Sequence, residues 1–111
     1  MERTSNTQQQ MMRITEIARR IFEVEKRKGR VNGLYIQSLE SFRLPLLQII
    51  GEDNELKHYA QHVLNALNAG IEYAKGDDKE ARKQMASEFM AAGKIAEMLQ
   101  KEFEKRVNTN D

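Results

Sequence analysis

Cysteine is absent from this chain, proline occurs once, and only six residues are glycine. Without cysteine there is no disulfide framework, no thiolate zinc site and no cysteine nucleophile. So few turn residues do not suit a β-sandwich, which needs a turn signal about every ten residues. No apolar run approaches the roughly 20 residues of a membrane span. The opening MERTSNTQQQ has no basic-then-apolar pattern of a secretory signal. Together these absences set the expectation of a cytoplasmic protein with no membrane partner.

Net charge is also small, +1, but it is unevenly spread: 1–46 holds nine basic and five acidic side chains, and 47–111 nine and twelve. Such asymmetry can guide association with another protein or with nucleic acid. With 111 residues, 40% of them apolar and 32% charged, the composition fits one charge-covered helical domain. The expected organisation is a flexible polar tail over 1–7, a domain over 8–107 and a frayed end over 108–111.

Over about 8–28 the apolar residues Met11, Ile14, Ile17, Ala18, Ile21 and Val24 recur every three or four positions, the helical period. Gly29 ends that run, and GRVNG makes a turn. The next stretch, LYIQSLESFRLPLLQII, aligns Tyr35, Leu39, Phe42, Leu46 and Ile49 on one face. Pro45 lacks an amide proton and restricts Leu44, so the pattern predicts a helix over about 33–43, a kink or break near Pro45, then one or two turns. Asp53 or Asn54 is placed to cap a third helix over about 55–75, with Leu56, Ala60, Val63, Leu67 and Ala74 inward. Gly76 ends it. Asp77 and Glu80 have the spacing of an acidic capping box opening the last helix, whose stripe is Met85, Phe89, Ala92, Ala96, Leu99 and Phe103.

Short connections make consecutive helices antiparallel. The expected fold is therefore all-α: an antiparallel up-down-up-down four-helix bundle, its second helix kinked or broken near Pro45, with a long C-terminal helix. Folding about Gly76 sets Ala60 opposite Gly93, where small residues would let two backbones approach, and Leu67 opposite Met85 or Ala86. A last helix of about 30 residues spans roughly 45 Å, against roughly 32 Å for its neighbour. The overhang carrying Leu99, Phe103 and Val107 needs cover, either from the segment around Met11 and Met12 or from a second subunit.

Three features carry chemistry. ELKHYAQHVL holds the only two histidines, four apart, with Glu55 three before the first. That spacing puts Glu55, His58 and His62 on one side of a helix, where they are weak candidates for a metal site. HYAQH has the histidine spacing of the HExxH zinc-protease motif. However, Tyr59 replaces the general base and no third histidine exists. At 100° per residue the pair falls opposite the apolar stripe, so the expectation is surface histidines and no cofactor. HVLNALNAG also lacks the lysine and small residues that follow a phosphotransfer histidine.

The second feature is a basic ridge. Arg13, Arg20 and Arg27 stand one heptad apart, and Lys26, Lys28 and Arg30 crowd the following turn. Such a ridge could neutralise phosphates, and KGRVNGLYIQSL has the turn-then-helix order of a helix-turn-helix. Glu16 and Glu23, four before Arg20 and Arg27, are placed to pair with them. The would-be recognition helix is filled by Leu34, Tyr35, Ile36, Leu39 and Phe42 and holds only Arg43 as a cation.

The third is a second apolar face on the last helix, where Met90, Ala91, Ile95 and Met98 lie off the main stripe. Methionine suits adaptable binding surfaces, and an apolar patch rimmed by charge marks an interaction site. No glycine-rich phosphate loop or nucleophile–base arrangement is visible. The expected function is non-catalytic: a homodimeric or partner-binding adaptor using Met90, Ala91, Ile95, Met98, Leu99, Phe103 and Val107. The alternative is a small nucleic-acid-binding regulator using the basic ridge.

Overall fold

Apolar residues three and four apart leave each stretch one face to bury, and the chain answers with helices. The computed structural model describes residues 2–27, 32–76 and 78–109, with side chains for 6–27, 32–76 and 78–106. In chain order the elements are α1 (Glu2–Lys26), α2 (Gly33–Glu40), α3 (Arg43–Gly51), α4 (Lys57–Gly76) and α5 (Lys79–Thr109). No strand occurs among the described residues, and none of their helices is long and apolar enough to cross a membrane. α1 begins at Glu2, ahead of the start near residue 8 that its apolar pattern marks. Near that end Gln10 Nε2 donates to Glu52 Oε2 at 2.8 Å.

Pro45 produces a break rather than a kink, and the break falls ahead of it: α2 stops at Glu40 and α3 starts at Arg43. In a continuous helix the proline ring would press on the carbonyl of Ser41 and leave it without a donor. Restarting at Arg43 places Pro45 in the first turn of α3, where amide protons have no partner within the helix. Other ends are capped by short polar side chains. Asn32 Oδ1 accepts from the amide of Tyr35 at 2.9 Å, and Asn54 Oδ1 from the amide of Leu56 at 2.9 Å. Asp53 beside it holds φ at 52°, a left-handed conformation that Asp enters more readily than most residues. At α5 the cap is Asp78, whose Oδ1 accepts from the amides of Glu80 and Ala81 at 2.9 and 3.2 Å. The expected cap, Asp77, lies outside the described residues, and Glu80 meets Lys83 at 3.7 Å.

α4 is the element on which α1, α2, α3 and α5 all pack. Leu56, Ala60, Val63, Leu67 and Ala74 are buried as their spacing predicts, but so are Tyr59, Leu64, Ala66, Ile71 and Tyr73. Neighbours on several sides cover far more of α4 than one stripe. The close crossing is at Gly70. A Cβ there would stand 3.2 Å from Met85 Sδ and 3.3 Å from Ile21 Cγ2, so a bare backbone lets α1 and α5 press on α4 together. Gly93, expected opposite Ala60 at a close approach, is exposed with open space around its Cα. A polar tie accompanies the packing of α1 on α4. Thr15 donates to the Met11 carbonyl, so the Tyr59 hydroxyl is the donor in its 2.7 Å bond to Thr15 Oγ1. Burial pushes that phenol above its ordinary range.

The extents are 51 × 22 × 20 Å, a rod whose length is close to the ~46 Å that 31 helical residues span. Leu99 and Phe103 on the overhang are only 8% and 2% exposed. Their cover comes from the chain itself, because α1 reaches far enough for Met11 and Met12 to share a cleft wall with Phe103. The expectation that placed Leu99 and Phe103 on a partner-facing surface is thereby corrected.

Gly70→Val should lower stability by about 1–3 kcal/mol through overpacking. Gly93→Ala should raise it by roughly 0.5–1 kcal/mol through helix propensity alone. Urea unfolding of both variants checks this, and equal responses would remove Gly70 as the crossing point.

Candidate functional site

The two histidines part company. His58 is exposed, whereas His62 sits in the seam between α4 and α5 with Nδ1 2.7 Å from Glu88 Oε1. The helix face expected to be wet is half covered, because α5 lies along it. An ionised carboxylate can only accept, so His62 Nδ1 carries the proton. Glu88 also accepts from Asn65 Nδ2 at 3.2 Å and Gln84 Nε2 at 3.0 Å, and its side chain is 15% exposed. The hydrogen bond from His62, aided by those from Asn65 and Gln84, outweighs burial and holds this carboxyl below its ordinary range. Glu55 turns away from both histidines to meet Arg106 at 2.9 Å. The weak metal trio is not assembled: no three His, Asp or Glu side chains gather among the described residues.

Part of the basic ridge is engaged within the chain. Glu16 serves Arg19 at 3.0 Å and Arg20 at 3.7 Å. Arg27 lies over the Tyr35 ring, 4.9 Å from its centroid, in place of the expected pair with Glu23. The Tyr35 hydroxyl donates to the Arg20 carbonyl at 3.3 Å, which pins the first turn of α2 against α1. Partial burial, then the nearby charge of Glu23, raises this phenol above its ordinary range. Lys26 belongs to a different side of α1, with Nζ 5.9 Å from the Phe22 ring centroid. Arg13 stays exposed, and Lys28 and Arg30 lie outside the described residues. Arg20 and Arg27 thus each have a partner within the chain.

The second apolar face of α5 divides. Met90 and Met98 are 67% and 66% exposed, but eight residues set them about 80° apart around the helix. Ala91, Ile95 and Met98 follow a helical spacing on one flank, where Ile95 packs against the core. Met90 lies on the other flank, toward α1. The side chain of Val107 is outside the described residues.

On Met90's flank lies an apolar concavity. α1 and α5 both lean on α4 and only sparingly on each other, which leaves an open cleft of about 700 Å³ between them. Phe22, Met85, Ala86, Phe89 and Met90 line it. The Phe22 and Phe89 rings meet edge to face, 6.0 Å apart at 83°, yet Phe22 remains 48% exposed. At the mouth Arg82 grips Glu25. Its Nε lies 3.0 Å from each carboxylate oxygen, and its NH2 also bonds Oε1. Such a wall of rings and thioethers binds apolar side chains, and its polar groups are Glu25, Lys79, Arg82 and Lys83, without a nucleophile beside a base. Phe22 is absent from the site residues expected from the sequence, because it stands one position off the inward stripe at Ile21. The available signal was an aromatic residue standing off that stripe, as Met12 does too.

Because Glu88 is depressed in the fold, it stabilises the protein above the unfolded carboxyl's titration range, and that stability is lost as pH falls through the folded value. Unfolding free energy should therefore fall below about pH 5, and Glu88→Gln should flatten that limb while lowering stability near neutrality. Parallel acid limbs for the two proteins would sink the account. No family model matches this chain, and no curated protein or solved structure shows significant similarity to it.

Proposed function

We propose that the chain is a non-catalytic protein-interaction module, an antiparallel up-down-up-down bundle in which α2 and α3 together form the second limb. The side-chain pairs support that course. Thr15 with Tyr59, and Ile21 with Gly70, advance in the same sense along α1 and α4. Glu55 with Arg106, and His62 with Glu88, advance in opposite senses along α4 and α5. The observation that carries the functional reading is the cleft between α1 and α5, which leaves Phe22 and Met90 in water beside the buried Met85 and the half-buried Phe89. An apolar concavity rimmed by charge marks a place where another protein seats. The partner is a second copy of the chain or a different protein. The nucleic-acid reading has less behind it, since Arg20 is paired with Glu16 and Arg27 is stacked on Tyr35.

Light scattering behind a sizing column at two concentrations, with affinity capture from cell extract, tests the proposal using wild type and Met90→Glu. The expected result is a stoichiometric complex, homomeric or heteromeric, that Met90→Glu weakens at least tenfold with helicity unchanged. A monomer that retains nothing its variant does not also retain would overturn it.

A further inference from the structure

We infer that the cleft between α1 and α5 receives an amphipathic helix flanked by acidic residues, supplied by a different protein; this rests on the interaction reading above. Shape comes first. Along α5 the cleft runs from Lys79 to Met90, an advance of about 17 Å or three helical turns. That length matches anchors at i, i+3 or i+4, and i+7 of a docked helix. The floor supplies what such anchors need, with two aromatic rings and two methionine side chains that can adapt to branched or ring-shaped residues.

Charge then selects the flanks. Among the described residues Glu25 is the only acidic side chain lining the cleft, and Arg82 holds it through several hydrogen bonds. Their charges cancel, which leaves Lys79 and Lys83 on the α5 rim. Lys26 stands over Phe22 on the α1 rim. Lys83 reaches Glu80 at 3.7 Å, but both side chains are about four-fifths exposed, so water screens that pair and it constrains neither partner. Cations on both rims of an apolar trough suit a helix whose apolar stripe is bordered by Glu or Asp. They argue against a second copy seated face to face, because its rim would bring the same lysines against these. A concave trough also fits a rod better than the flat surface of a bilayer.

The probe is a fluorescein-labelled 20-residue helical peptide with leucine at i, i+4 and i+7 and glutamate on both flanks, alongside a twin carrying lysine for each glutamate. Anisotropy titrations use the full-length chain, Met90→Glu, and the double variant Lys79→Glu/Lys83→Glu, whose substitutions sit on exposed positions. The glutamate peptide should bind wild type about tenfold more tightly than its twin, and added salt should shrink the preference. The double variant should reverse it, and Met90→Glu should weaken both peptides. Equal affinity of the twins, or no binding of the glutamate peptide, would overturn the acidic-helix assignment. If light scattering or capture still showed a complex sensitive to Met90→Glu, the interaction reading would stand without it. Binding to phosphatidylglycerol vesicles but not to the peptide, lost in the double variant, would overturn the assignment in favour of lipid.

Discussion

Two large side chains, Ile21 and Met85, converge over a residue that has none. Much of the architecture follows from that meeting at Gly70. Because the backbone of α4 is bare there, α1 and α5 can both lie against it, and each satisfies its apolar stripe on α4 instead of on the other. Two rods leaning on a third leave a trough between them where their outer flanks fail to close. The trough is thus a by-product of how the core is packed. Its floor and the core share a residue, since Met85 both roofs Gly70 and lines the cleft.

The polar contacts confirm helix positions more than they create them. Thr15 and Tyr59 join α1 to α4, Glu88 gathers His62, Asn65 and Gln84 at the seam of α4 and α5, and Glu25 with Arg82 bridges α1 to α5. No buried side-chain nitrogen or oxygen among the described residues lacks a partner, so none of these seams carries the desolvation penalty of an orphaned group. The exposed ion pairs add little each, but they fix which flank of a helix faces which neighbour.

Helix content, most helix ends and the inward stripes were legible from apolar spacing, because burying one face dominates the energetics of a helix in a small domain. Leu39, Leu46, Leu56, Val63, Leu67 and Met85 are all in the core as their positions implied. Pro45 announced an interruption but not its place, since the carbonyl that a proline disturbs lies four residues earlier. Pairing between helices was harder to read. Gly70 and Gly93 look alike in sequence, and only the three-dimensional crossing makes one a contact and the other a bare surface. His62 was placed in solvent because a single stripe was assumed for α4, while that helix has neighbours on several sides. Phe22 was overlooked for a related reason: a residue just off a stripe reads as a stray until a second helix is found beside it.

The break ahead of Pro45 divides what would be one limb into rods of 8 and 9 residues. Helices that short are not self-sustaining in water. α2 buries Leu39, with Tyr35 and Ile36 packed beside it, and α3 buries Leu46 and Ile49, with Ile50 beside them, against eleven buried residues in α4. At about 1.5–3 kcal/mol for each buried aliphatic side chain, these contacts with α4 supply what the short rods lack by themselves. Neither rod of this limb stands by itself, and each takes its shape from the surface of α4 on which it lies.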